Sequence, residues 1–243
     1  MKNHYKYLAQ IYDEVHPFRQ EVGRKVLNWY EKINQGYLLD VGCGTGALLS
    51  YLKEEGRFDS VNLRGIDVTL EMVEQVQKKG IWAKQVSLTE LNLPTHSLGV
   101  AVFQESIHHM DVDQVATNLK KLLHPNGVVL VFYQLDWYLT PSLIAFDPLI
   151  EYARKNRRGL DPIINILSSK GFEIIEKVII NSLDPYPKHN LELALQTNAL
   201  SYWAKLEDSQ KNAIWQKCLP ELSKTPRQLN RSLQLVILRN SKN

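Results

Sequence analysis

Apolar residues gather along this chain in short runs separated by amphipathic stretches, and the two kinds of segment alternate. The run 38–41 reads as a buried strand, and 47–53 reads as the helix behind it. A second strand over 61–66 ends in Gly65-Ile66 and is followed by helical spacing over 69–79. Residues 83–86 and 100–103 form the third and fourth strands. An amphipathic helix over 113–123 is stopped by His124-Pro125-Asn126-Gly127, ahead of an apolar strand over 128–133. A helix over 161–170, a long strand Phe172–Ile180 and a last strand over 233–238 complete the pattern.

The rest of the chain sorts around these elements. Its 243 residues fit one domain (1–243) of the larger sort. Within it, 1–35 forms an N-terminal cap, 36–133 a ligand-binding half, and 134–160 and 181–228 two insertions. No repeat or low-complexity tract interrupts it. The N-terminus is polar and aromatic, and no apolar run reaches the length needed to span a bilayer, so neither a signal peptide nor a membrane helix is expected, and the expected location is cytoplasmic. Two cysteines, Cys43 and Cys218, are too few for a disulfide scaffold. A net charge of +3 is too small to argue for a nucleic-acid partner. The one basic run, Arg154-Lys155-Asn156-Arg157-Arg158, reads as a solvated helix face or as a recognition site for a carboxylate or phosphate.

The chemistry concentrates where the first strand ends, in Asp40-Val41-Gly42-Cys43-Gly44-Thr45-Gly46. Glycine tolerates positive φ and lacks a side chain, so backbone amides at such a strand-to-helix turn can approach a polar ligand where the helix dipole favours it. A tight turn that merely needs glycine is the bland alternative. Gly42, Gly44 and Ala47 also satisfy G-x-G-x-x-A, the dinucleotide fingerprint, which keeps a nicotinamide enzyme in view.

The run from Asp40 to Gly46 resembles motif I of the class I (Rossmann-like) S-adenosylmethionine-dependent methyltransferases. That resemblance implies an α/β fold, a doubly wound, seven-stranded, mostly parallel sheet whose last strand is antiparallel, with the cap and helical insertions over the active site. It implies S-adenosyl-L-methionine as cofactor, with Asp40, Gly42, Cys43 and Gly44 around its methionine part. Asp67, about 25 residues beyond the glycines, ends the second strand at the spacing of a ribose-binding carboxylate, and an N-cap role is compatible with that. Val68 is placed against one face of adenine. Many relatives carry an Asp after the third strand; here Ser87 is the first choice for that position and Thr89 the second, with Leu88 beside them. Gln104, at the end of the fourth strand, faces the same crevice, and Tyr12 resembles the Tyr of a Tyr-Asp pair that lies near the cofactor in relatives.

His109 is a candidate general base or a hydrogen-bonded structural residue in equal measure, with His108 behind it. Adjacent histidines project differently and no spaced partner completes a ligand set, so no metal is expected. Glu105, Trp137 and Tyr138 are candidate substrate contacts, and Tyr5 and Tyr7 are further candidates for an aromatic enclosure. The implied activity is in-line methyl transfer to an O, N or C atom of a small-molecule acceptor. A nicotinamide-dependent oxidoreductase and a non-catalytic cofactor-binding subunit are the alternatives. The oligomeric state is not legible.

Overall fold

The computed structural model describes residues 8–55, 62–135, 138–140, 142–199, 203–222 and 227–241. Chain order runs α1 (Tyr12–Val15), α2 (Gln20–Ile33), β1 (Tyr37–Val41), α3 (Ala47–Glu54), β2 (Leu63–Asp67), α4 (Leu70–Lys78), β3 (Trp82–Gln85), β4 (Leu98–Gln104), α5 (Val112–Leu122) and β5 (Leu123–Gln134). It continues through β6 (Tyr138–Thr140), α6 (Asp147–Asn156), α7 (Leu160–Ser169), β7 (Phe172–Ile180), β8 (Leu183–Tyr186), α8 (Lys188–Gln196), α9 (Asp208–Leu222), β9 (Arg227–Asn230) and β10 (Leu233–Asn240).

Seven strands form one sheet in the order β3-β2-β1-β4-β5-β10-β7. Strands β1 to β5 pair in parallel, and β10 inserts between β5 and β7 and runs antiparallel to both. Each central strand is covered on both faces, which is why it reads as continuous apolar sequence rather than as an alternation. The period of two survives in what each residue touches. Leu39, Ala101, Phe103 and Val131 pack with Val115 and Leu119 of α5 and Ile163 and Leu167 of α7. Leu38, Val100, Val102 and Leu130 pack on the opposite face with Val22 and Val26 of α2, Leu48 and Leu52 of α3 and Val73 and Val76 of α4.

Strand β5 begins five residues earlier than the pattern predicts. Residues 124–127 extend the strand irregularly instead of forming a separate turn, and the register with β4 shifts between Leu98 and Val100. Gly127 permits this, since a Cβ there would sit 2.8 Å from the Leu98 carbonyl oxygen.

The insertions carry α6, α8 and α9 and, in addition, a three-stranded antiparallel sheet in the order β6-β9-β8. Their own core comprises Leu143, Phe146, Leu149, Leu191, Trp203 and Leu222, with the Trp203 indole donating to the Leu195 carbonyl at 3.0 Å. Cap and second insertion meet directly. Leu8 and Val15 pack on Ala194 and Ala199, and the Asn190 amide donates to the Glu14 carbonyl at 3.0 Å. Among the described residues no helix is long and apolar enough to cross a membrane.

Candidate active site

Parallel strands direct their carboxyl ends to one edge of a sheet, where a crevice opens. Here that edge floors a cavity of about 650 Å³ roofed by the cap and the insertions. Gly42, at φ 76°, has the Ser106 Cβ only 2.6 Å from where its own Cβ would be. Gly44, at φ 52°, is not crowded in this way: its Cβ would meet only the Tyr12 ring, at an ordinary contact distance of 3.8 Å. The first glycine is therefore demanded by packing and the second leaves room for a ligand against the backbone. The cap holds this turn in place. Asp13 accepts a hydrogen bond from the Thr45 hydroxyl, and the Lys79 ammonium donates to the Thr45 carbonyl at 2.9 Å.

Asp40 is 2 % exposed, and its Oδ1 has no hydrogen-bond partner. Burial, reinforced by the charge of Asp67, pushes its carboxyl up to about 7. An acid in that position matches a cationic group brought by a ligand. Asp67 accepts from the Gly44 amide at 3.1 Å and the Thr69 amide at 2.8 Å, so it ties the glycine turn to the segment that leads into α4, whose N-cap is Thr69.

The residues singled out from sequence divide into two groups. Tyr12, Asp40, Gly42, Cys43, Gly44, Gln104, Glu105, His108 and His109 all line the cavity. Asp67, Val68, Ser87 and Leu88 do not; they lie beyond it at the ends of β2 and β3. Val68 is exposed, whereas Leu88 is buried in the core and presents little side chain to a ligand. The Ser87 hydroxyl lies 2.9 Å from that of Thr89 and donates to the Glu90 carboxylate at 2.7 Å, so a carboxylate adjoins Ser87. Trp137 and the side chain of Tyr138 lie outside the described residues, as do Tyr5 and Tyr7.

Glu105, expected against substrate, is engaged by its own chain. Its carboxylate pairs with the Arg157 guanidinium at 2.7 Å and accepts from the Gln134 amide, and its backbone adopts φ 56° to do so. The histidine rings lie 3.9 Å apart between centroids, tilted by 47°, and His108 also meets Tyr133 edge-on at 5.9 Å. Burial first, then His109 and Arg157, push the His108 pKa far down, and its Nδ1 is buried without a partner. His109 is the more accessible. Burial, Arg157 and Lys205 lower its pKa from 6.5, which keeps the imidazole neutral and able to accept a proton near pH 7. Among the described residues no cluster of three or more His, Cys, Asp or Glu is disposed to hold a metal ion.

Among the cavity residues that the sequence reading passed over are Arg19, Gln134 and Arg231. Each stands outside a motif, and only the tertiary contacts bring the three together.

Comparison with known proteins agrees with this geometry. A family model described as a methyltransferase domain matches residues 39–131, the segment holding β1 through most of β5. An uncharacterized protein of Methanocaldococcus jannaschii is 25 % identical over 168 residues, covering 65 % of this chain and 63 % of that protein's length. The ubiquinone biosynthesis O-methyltransferase of Rickettsia canadensis is 27 % identical over 177 residues, covering 67 % of this chain and 73 % of its own. Among solved structures, a candidate methyltransferase from an antibiotic biosynthesis pathway of Anabaena variabilis superimposes with a TM-score of 0.62 at 17 % identity, covering 92 % of this chain and 98 % of that one.

Proposed function

Since the chain belongs to the class I S-adenosylmethionine-dependent methyltransferases, we propose that it moves a methyl group onto an O, N or C atom of a small-molecule acceptor held in the roofed cavity. The observation that carries this reading is Asp40, a buried acid whose Oδ1 has no hydrogen-bond partner, beside a glycine turn in which a Cβ on Gly44 would meet only the Tyr12 ring, at 3.8 Å. Asp40 and the backbone of 42–44, with Tyr12 and Gln104, would hold the methionine end, and Asp67, Val68 and Ser87 the adenosine end. S-Adenosylmethionine supplies a methyl group already activated on a sulfonium. What remains for the protein is to align the acceptor, exclude water and receive a proton where the acceptor carries one. The cap and insertions would exclude water, and His109, which lines the cavity, would receive the proton. A nicotinamide enzyme is not favoured, because the matched family model covers the glycine turn itself as part of a methyltransferase domain. The cavity suits a small acceptor in size.

The deciding experiment is a thermal-shift panel. S-Adenosylmethionine and S-adenosylhomocysteine are expected to raise the melting temperature while NAD and FAD leave it unchanged, because a ligand that binds only the native state stabilises it. A shift with NAD alone would overturn the assignment.

Asp40 adds a pH dependence. The folded chain retains its proton to about pH 7, whereas the unfolded chain loses it near 3.8. Stability without ligand therefore falls as pH rises between those values and is level above them. A cationic ligand favours the ionised form, so affinity for S-adenosylhomocysteine is expected to rise about tenfold from pH 6 to pH 8 with proton release, following the titration of one group. Asp40→Asn should abolish that slope, weaken binding, and leave the ligand-free protein more stable than wild type above pH 7. Calorimetry in two buffers of different ionisation heat reads the proton, and a pH-independent affinity in the wild type would count against Asp40 as the partner.

A further inference from the structure

Charge is segregated across the cavity. The acids Asp13 and Asp40 lie at the glycine turn, while Arg19, Arg157 and Arg231 gather over the ends of β4, β5 and the start of β10. Arg19 donates to the Arg231 carbonyl, and Arg231 donates to the Pro17 carbonyl at 2.7 Å, so two guanidinium groups are held side by side by backbone contacts. Among the described residues the nearby acids are Glu105, bound to Arg157 at 2.7 Å, Asp184, 3.9 Å from Arg231, and Glu21, whose charge also acts on Arg19, while Asp161 lines the cavity. Arg19 is 7 % exposed, and its Nε, like that of Arg157, is buried without a hydrogen-bond partner.

A buried cation that lacks full compensation is costly unless another charge completes it. Burial and the neighbouring charge of Arg231 lower the Arg19 pKa to about 10, against the opposing pull of Glu105, Asp184 and Glu21. One nitrogen of the Arg19 fork is taken by the Arg231 carbonyl, and a planar guanidinium is suited to an oxyanion.

We propose that Arg19, supported by Arg157 and Arg231, binds an anionic group of the methyl acceptor, a carboxylate or a phosphate, and so restricts the enzyme to acidic small molecules. This rests on the methyltransferase reading, with the acceptor's anion at the arginine side and its reacting atom toward His109 and the glycine turn.

Calorimetry on the full chain tests it in separate arms, with S-adenosylhomocysteine alone and then, on the saturated protein at constant ionic strength, with inorganic phosphate and with glutarate. Binding of phosphate or glutarate at millimolar concentration supports the proposal, and the tighter of the two names the anion. Binding of neither overturns it. Failure of S-adenosylhomocysteine to bind would instead overturn the functional reading, whatever the anions do. Arg19→Gln is expected to weaken the anion about tenfold or more, as for a lost charge-assisted contact, with S-adenosylhomocysteine affinity within twofold of wild type. Unchanged anion affinity in that variant would place the anion elsewhere and sink the proposal. Should Arg19→Gln not fold, Arg19→Lys decides: it keeps the charge and loses the fork, so anion affinity should still fall several-fold, and equal affinity overturns the assignment.

Discussion

His109→Ala is expected to lower turnover by about 10² to 10⁴ while S-adenosylhomocysteine binds as in the wild type, the range for removing a positioned general base. The imidazole lines the cavity, and burial with Arg157 and Lys205 keeps its pKa below 6.5. Wild-type turnover should therefore be level near neutrality and fall only below pH 6.5, as the ring takes up a proton and can no longer accept one from the acceptor. The variant should lack that acid limb. Release of S-adenosylhomocysteine, followed across a panel of hydroxyl and amine acceptors bearing carboxylate or phosphate groups, provides the assay. Near-full turnover by a folded variant at every pH would remove His109 as base and point to catalysis by alignment, as suits a carbon acceptor. His108 is the natural control. Its strongly depressed pKa makes it a weak base, so His108→Ala should act through packing, with the acid limb retained.

Asp67→Ala is expected to weaken S-adenosylhomocysteine binding by roughly 1.5 to 3 kcal/mol, the value of hydrogen bonds to a charged group. That corresponds to about 10- to 150-fold in Kd. The carboxylate also accepts the Gly44 and Thr69 amides, so its removal loosens the glycine turn and the segment leading into α4. Asp67→Asn keeps one acceptor oxygen and should fall between the two. Calorimetry reads the change and a melting curve confirms the fold. Unaltered affinity in folded Asp67→Ala would place the ribose elsewhere.

Much of this architecture was legible along the chain. Strands β1, β2, β3 and β4 fall within a residue or two of where the apolar runs put them, and the glycine turn, Asp67, Gln104 and the histidine pair occupy the sheet edge that the order of elements implies. Two expectations changed character. Glu105 read as a substrate contact because it follows the fourth strand, yet Arg157, 52 residues on, takes up its carboxylate. Leu88 read as a ligand neighbour by position, yet the core claims it.

The sequence by itself determined the features that depend on near neighbours: which stretches are strands or helices, where glycine allows a close approach, and that an acid, Asp67, ends β2. These follow from side-chain period and turn chemistry, which act over a few residues. Only the tertiary structure decided that Arg19 would lie against Arg231, 212 positions away, that β6, β8 and β9 of the insertions would pair into a second sheet, and that Asp40 would be buried with an oxygen unmatched. Such outcomes depend on which distant surfaces pack together once the chain closes its long loops. A charged side chain has no periodic signature that reports its partner, so the arginine end of the cavity exists only in the folded protein.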